Sequence, residues 1–320
     1  MRFISCAAAA AVATCLLAAS AAARPIPVDL RVEGAEERSL TADRYMTDST
    51  SLVTEKGRGC KGTGETKRLT GPTALGALVD ASRVNPVLTP LGVSDEFDFG
   101  LLVCGAGSDF ASGNTSYWLY KVNHVSPEVG GDAYSVKPGD DVLWYFVDSA
   151  QNEATGDELG LAAPARARPG QEFEVRVFAF DATGARRAVE GATVTGGATA
   201  VRSDANGVAR VTVSSGPRAT LRATLDPHVP AAPLEVCVKS VLRRCPAVRG
   251  ETIYGSARAE TIAGTRGPDR ITGDGGRDRI LVRRGGRDRV SCGAGRDTVL
   301  AGRRDRVAAD CERVRRSGRL

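Results

Sequence analysis

The sequence predicts a mainly β, multidomain chain, and three observations carry the prediction. Its 320 residues exceed one ordinary domain, at roughly 100–200 residues each. Several short runs alternate apolar and polar residues with the two-residue period of a strand. From residue 251 onward an acidic residue, followed two positions later by Ile or Val, recurs every 8 to 10 residues. A fixed short period of that kind marks stacked repeats. The composition, 42% apolar and 25% charged, belongs to a globular chain rather than a disordered one. Aromatics are unevenly placed: Trp118 and Trp144 lie in the first half, and after Phe180 the only aromatic is Tyr254. The second half must therefore build its cores from small aliphatics and some further restraint.

Charge divides the chain in the same way. Residues 241–320 hold 20 Arg, no Lys and 10 Asp plus Glu, a net of +10. The whole chain carries +5, which leaves −5 for residues 1–240. Such asymmetry can mark a segment that meets anionic polymers. The simpler reading, a GC-rich coding sequence with 37 Arg against 6 Lys, covers most of these arginines.

Met1-Arg2, an apolar run from Phe3 to Leu17 and the small residues Ala21-Ala22-Ala23 have the form of a secretory signal peptide over residues 1–23, too short to be a spanning helix. Acylation at Cys15 is disfavoured, because Thr14 precedes it and Leu16-Leu17 continue the apolar run. No later segment reaches about 18 apolar residues, so the mature chain is expected to have no membrane span. Cys6 and Cys15 leave with the leader and six cysteines remain. Many connectivities are open in principle. The six fall as neighbours along the chain and export favours oxidation, which predicts Cys60–Cys104, Cys237–Cys245 and Cys292–Cys311. A thiolate metal site would need closer cysteine spacing, and the only histidines, His124 and His228, lie apart.

Residues 26–150 predict an α+β unit. Val28, Leu30 and Val32 alternate as a first strand, and Thr73 to Ala81 follows Gly71-Pro72 with helical spacing. Strand-like runs come next at Phe97–Cys104, Tyr117–Val122 and Val142–Val147, with a turn at Val136-Lys137-Pro138-Gly139-Asp140 between the last two. Tyr117-Trp118-Leu119-Tyr120-Lys121-Val122-Asn123 and Tyr134 to Tyr145 resemble the transcobalamin-like C-terminal domain family. That resemblance implies a β-grasp fold. In cobalamin carriers the domain works beside an α/α barrel that nothing in this chain supplies, so the fold carries over and the ligand does not. Trp118 and Trp144 read most simply as core residues of paired strands; a platform for a small, cobalamin-like ligand is the alternative.

Residues 163–238 read as all-β. Phe173 to Phe180 and Val208 to Val213 alternate, and Asp204-Ala205-Asn206-Gly207 is a turn former. With Val189-Glu190-Gly191-Ala192-Thr193-Val194, the pattern is similar to bacterial Ig-like repeats and carboxypeptidase-regulatory-like sandwiches, modules that usually act as spacers. Asp204 and Asn206 are also possible metal ligands, though a hairpin turn accounts for them.

The repeat runs Glu251/Ile253, Glu260/Ile262, Asp269/Ile271, Asp278/Ile280, Asp288/Val290, Asp297/Val299, Asp305/Val307. Gly267, Gly276, Gly286 and Gly295 stand two residues before four of the acids. A nine-residue unit is one short strand plus one tight turn, so two units make one coil of a flattened helix. Glycines permit positive φ in the turns, and stacked carbonyls and carboxylates form a cage of hard oxygens of the kind calcium prefers. One aliphatic per unit is little burial, so ion binding is expected to supply part of the folding energy. The pattern resembles the RTX, or haemolysin-type, calcium-binding nonapeptide repeat, which implies a parallel β-roll over about residues 249–314. By that resemblance the calcium ligands are Asp269, Asp278, Asp288 and Asp297, with carbonyls of Gly264, Gly267, Gly273, Gly276, Gly286, Gly293 and Gly295. Stacking two units apart sets Asp269 on Asp288 and joins Asp278 to Glu260 and Asp297. The chain departs from the pattern at Arg249 and Arg258, which replace glycines, and at Arg283-Arg284, where one extra residue breaks the register. Asp310 to Val314 reads as a cap closed by Cys292–Cys311.

No enzyme motif survives inspection. Gly59 to Thr66 looks superficially like a phosphate loop, but Glu65 stands where the lysine must be. No G-x-S-x-G elbow exists. The expected protein is a non-enzyme: secreted, extracellular and calcium-binding, acting in binding or surface adhesion. Its expected architecture is an α+β β-grasp domain, an Ig-like β-sandwich and a parallel β-roll solenoid. Calcium and a cell-surface or cell-wall polymer are the expected partners, without specific nucleic-acid recognition. Ligand binding at Trp118 and Trp144, or polyanion binding by the Arg-rich C-terminal segment, are the alternatives.

Overall fold

The structure is a computed structural model that describes residues 24–112, 115–148, 156–214, 216–242, 245 and 249–316. The expected leader, 1–23, lies outside the described residues. The chain is mainly β, in several sheets, and ends in a β-solenoid. No helix among the described residues is long and apolar enough to cross a membrane.

Strand β1 (Ile26–Glu33) pairs antiparallel with β2 (Ser39–Thr47) and parallel with Asp141–Asp148, which runs antiparallel to Ser116–Val122. Helix α1 (Ala74–Val84) crosses one face of this sheet. It starts at Thr73, whose hydroxyl accepts from the Gly76 N–H at 3.0 Å, the usual service of an N-cap threonine. Alternation sends Val28, Leu30, Val32, Trp118 and Trp144 to the helix side, where they join Leu75 and Leu78 in one core. The run expected to be a single strand over Phe97–Cys104 is instead the end of one strand and most of another, Leu91–Phe97 and Gly100–Ala106. Gly100, at φ 148°, lets the chain reverse there. Cys60–Cys104 ties this hairpin to the short strand Cys60–Lys61.

Two sheets face each other in the middle of the chain. One joins Glu158–Ala162, Glu172–Phe180, Arg186–Ala188 and Val208–Thr212. The other joins Arg166–Ala167, Leu234–Val238, Arg218–Thr224, Thr193–Thr195 and Val201–Arg202. Their shared core is small and aliphatic, with Val175, Val177, Val211, Leu221 and Val236 at its centre. Strand Glu158–Ala162 lies before residue 163, where the sequence reading began this unit.

A spacer is not what this middle unit forms. It lies on the face of the first sheet opposite α1, over Leu143, Tyr145 and Val147, which cluster with Val229. Between the two lies a buried charge network. The Arg31 guanidinium donates to the Pro230 carbonyl at 2.8 Å and to Glu158, and Glu33 meets Arg222 at 2.7 Å. Lys121, fully buried, donates to the carbonyls of Phe180 and Asp181. Burial pushes the Lys121 pKa down and the Glu33 pKa up, the latter against the charges of Arg31 and Arg222.

The solenoid is built from two parallel ladders. One contains Thr252–Tyr254, Arg270–Thr272, Arg289–Ser291 and Arg306–Val307. The other contains Thr261–Ala263, Arg279–Val282, Thr298–Ala301 and Arg313–Arg316. Ile253, Ile262, Ile271, Ile280, Val290 and Val299 fill the space between them.

The first ladder does not begin a separate body. Thr252–Tyr254 pairs parallel with β2, so one sheet of 8 strands runs from the first unit through the solenoid. Met46 enters the solenoid core, Tyr45 stacks on Tyr254 at 5.0 Å, and Arg44 meets Glu251 at 2.6 Å. An unpaired strand edge invites aggregation and a solenoid needs caps; here β2 and the first coil cover each other. At the far end Arg313–Arg316 and the Cys292–Cys311 bridge close the last coil. That bridge spans 19 residues, so replacing both cysteines by serine is expected to lower stability by about 3 kcal/mol, measured by urea unfolding of the oxidised parent against the variant.

Candidate metal centre in the stacked turns

The repeat acids form two columns, one on each edge of the solenoid. Backbone N–H groups of successive coils set the spacing. On one edge the N–H of Glu251 donates to Asp269 Oδ1 at 2.9 Å, that of Asp269 to Asp288 Oδ1 at 2.9 Å, and that of Asp288 to Asp305 Oδ1 at 3.2 Å. On the other edge the N–H of Glu260 donates to Asp278 Oδ1 at 2.9 Å, that of Asp278 to Asp297 Oδ1 at 2.8 Å, and that of Asp297 to Glu312 Oε2 at 2.8 Å. Each carboxylate therefore holds the coil before it with one oxygen.

The second oxygen separates the rungs into two kinds. At the outer rungs the turn itself satisfies it. The Thr265 N–H donates to Asp269 Oδ2 at 2.5 Å, the Ser256 N–H to Glu260 Oε2 at 2.9 Å, and the Gly302 N–H to Asp305 Oδ2 at 2.7 Å. At Asp278, Asp288 and Asp297 the Oδ2 atom is buried and has no hydrogen-bond partner. A buried carboxylate oxygen without a donor is costly, and these three residues are only 2, 0 and 0% exposed. Burial, reinforced by the charges of Glu260, Asp297 and Asp274, lifts the pKa of Asp278 to about 7. Burial, with Asp305 and Asp269 nearby, lifts that of Asp288 to about 6.

Turn glycines stand close to two of the column carboxylates, Asp278 and Asp269. A Cβ built on Gly273 would come within 2.4 Å of the Cys292 carbonyl oxygen and 3.0 Å of Asp278 Oδ2. One on Gly264 would come within 2.8 Å of Asp269 Oδ2. Gly267, Gly276, Gly286 and Gly295 instead pack against the backbone of a neighbouring coil, at Arg249, Arg258, Pro268 and Gly276 respectively. Gly293, at φ 84°, faces the Asp274 carbonyl so closely that a Cβ would lie 1.9 Å from its oxygen. Gly293→Ala is expected to destabilise the protein by about 1–3 kcal/mol, read as a fall in denaturation midpoint at unchanged slope.

The donor set suits a hard divalent cation. Among the described residues no three His, Cys, Asp or Glu side chains converge on one point, so an ion in the turns would take most of its ligands from main-chain carbonyls, with Asp278, Asp288 and Asp297 each offering one free oxygen. That is the chemistry calcium accepts, 6–8 oxygens with few charged ligands required. Asp269, whose oxygens are already engaged by Glu251 and Thr265, is the least available of the four expected aspartates. Arg277, Arg279, Arg287 and Arg289 are exposed and leave the turn interior free of guanidinium groups.

Trp118 and Trp144 are not brought to any such site. They are 2 and 3% exposed, and their indole N–H groups donate to the carbonyls of Asp109 and Ala74. Asp204 Oδ1 accepts from the N–H groups of Asn206 and Val208, so its carboxylate closes the hairpin turn. The rung at Glu312 escaped the sequence reading. It lies 15 residues beyond Asp297 instead of 18 or 19, and only the pairing of Arg313–Arg316 with Thr298–Ala301 fixes its place.

Comparison with known families separates the two ends of the chain. No curated protein and no solved structure matches it. Residues 106–148 match a domain of unknown function, DUF4430, a stretch that includes Trp118 and Trp144. Residues 254–285, which hold Asp269 and Asp278, match the family described as RTX calcium-binding nonapeptide repeat (4 copies), and calcium is the ion that this repeat binds.

Proposed function

We propose that this chain is an exported, extracellular binding protein whose C-terminal solenoid is completed by calcium, with the ion acting structurally. The observation that carries the reading is the trio of buried, unpartnered carboxylate oxygens on Asp278, Asp288 and Asp297. Each of these oxygens is buried without a donor, which is costly. A calcium ion held with the help of Asp278, Asp288 and Asp297 would supply the positive charge that they lack and would stiffen the roll. Three disulfides suit an oxidising compartment, where calcium is also abundant, so the roll would mature after export through the leader.

In this reading the first unit is a β-grasp domain of the transcobalamin-like kind. Its mixed four-stranded sheet crossed by a single helix supports that assignment. The middle unit is an Ig-like sandwich, supported by two facing sheets over an aliphatic core. The role is binding rather than catalysis, at a cell surface or its polymers.

Calorimetric titration of the full chain with calcium tests the proposal. Heat is expected for the parent and is expected to be largely lost in Asp278→Ala combined with Asp288→Ala. Equal heats from both proteins would remove these residues as ligands, and no heat from either would remove calcium from the account.

A further inference from the structure

The outer face of the shared sheet carries a row of arginines that the calcium account leaves unused. Cross-strand register places Arg270, Arg289 and Arg306 side by side on consecutive parallel strands. Parallel neighbours lie about 4.8 Å apart, so the three arginine side chains leave the sheet at that interval. The middle unit overhangs this row. Between them is a cleft of about 410 Å³, lined by these three arginines together with Arg218, Arg249 and Arg287.

The acids in the cleft are already engaged. Glu235 pairs with Arg218 at 3.2 Å, and Glu251 turns away to Arg44 at 2.6 Å. Asp269 accepts from Glu251 and Thr265. Among the described residues no ion pair or side-chain hydrogen bond reaches Arg270, Arg287, Arg289 or Arg306. The four guanidinium groups are exposed, so water and salt screen their mutual repulsion while leaving them free to meet an anion. A solvated arginine face needs neither the overhang nor the register; this one has both.

We infer that the cleft between the middle unit and the solenoid binds a linear oligoanion through phosphate or sulfate groups. The inference rests on the binding role proposed above and names the site and the ligand chemistry for it. A guanidinium fork matches the paired oxygens of a phosphate or sulfate group. The repeat of the row favours a ligand with several such groups over a single ion. Nucleic acid is disfavoured, because no aromatic side chain lines the cleft on which a base could stack.

The test uses the full chain in calcium-free buffer, because phosphate and tripolyphosphate would precipitate or chelate the ion, with calorimetry against orthophosphate, linear tripolyphosphate and a heparin tetrasaccharide. Arg270→Gln combined with Arg289→Gln removes two charges from the row. Arg279→Gln combined with Arg313→Gln removes two exposed charges from the other ladder and serves as the control of equal net charge. At least one oligoanion is expected to bind about tenfold more tightly than orthophosphate, with affinity falling as salt rises. The cleft variant should lose about tenfold in affinity, while the control stays near the parent. Preference for tripolyphosphate would identify phosphate as the recognised group, and preference for heparin would identify sulfate. Equal losses in both variants, or no binding of either oligoanion, would overturn the inference. Calcium-induced melting shifts are read in parallel; if they persist in a parent that binds no oligoanion, this inference falls and the calcium reading stands.

Discussion

Asp278→Asn is expected to raise the melting temperature of the calcium-free protein and to abolish most of its response to calcium. The two effects have opposite signs, and one cause gives both. In the parent, Asp278 Oδ1 holds the Glu260 N–H at 2.9 Å, while Oδ2 is buried with no donor. Asparagine keeps the first contact and replaces the second oxygen with an uncharged N–H₂. The buried charge disappears, and with it the anionic ligand that the proposed site offers calcium. For the parent, calcium at about 100 times its dissociation constant adds about 2.7 kcal/mol per site, a shift that thermal melting in chelator and in calcium resolves directly. A variant that melts below the parent in chelator would show that the carboxylate is satisfied without the ion.

The pH dependence follows from the same residues. Folding raises the pKa of Asp278 to about 7 and that of Asp288 to about 6, from 3.8. An acid whose pKa is raised on folding contributes stability that is fully present below the unfolded value and is lost as pH rises through the folded one. The calcium-free protein is therefore expected to be more stable near pH 4 than near pH 8, with the loss falling between the two. In the proposed site calcium would bind the ionised carboxylates, so its affinity is expected to rise across the same interval. Melting curves with and without calcium should converge toward low pH and separate toward high pH.

Arg31→Met is expected to cost about 3–5 kcal/mol, because it takes the shared guanidinium from two buried carboxylates and leaves Glu158 with His124 and Glu33 with Arg222 as their remaining charge partners. Arg31, 4% exposed, bridges the first sheet to the middle unit through Pro230 and Glu158, with Glu33 at 3.9 Å. Burial raises the pKa of Glu33 even beside Arg31 and Arg222. At Glu158 burial acts in the same direction, but the hydrogen bond with His124 and the charge of Arg31 outweigh it and leave the pKa lowered. Removing the guanidinium takes away that compensation. Adding Glu158→Gln to Arg31→Met should recover part of the loss, and a double-mutant cycle by urea denaturation measures how much. Additive losses would mean that the pair is not coupled.

Local patterns in the sequence carried the solenoid and its columns of acids. The nine-residue rhythm is a property of each unit: one aliphatic to bury, one acid and one turn. Its period therefore set which acids meet across coils, Asp269 with Asp288 and Asp278 with Asp297. The cysteine pairs were legible for a similar reason, since short separations along the chain limit the partners within reach. Alternation in β1 likewise told which side chains face the helix.

What the period could not tell was which carboxylates lack a donor. Thr265, Ser256 and Gly302 present an N–H to their acids, whereas the turns before Asp278, Asp288 and Asp297 do not. That difference lies in backbone orientation, which residue identity alone does not fix. Long-range contacts were hidden for a related reason. The pairing of β2 with Thr252–Tyr254 joins strands some two hundred residues apart, and no local pattern records which exposed edge will cover which. Burial of Arg31, Glu33 and Lys121 also belongs to the assembled structure alone: in sequence they read as the polar face of ordinary strands, and only the docked middle unit turns that face into an interior. Sequence periodicity determined the repeating unit, and packing of distant edges and faces decided how the units are capped, covered and charged.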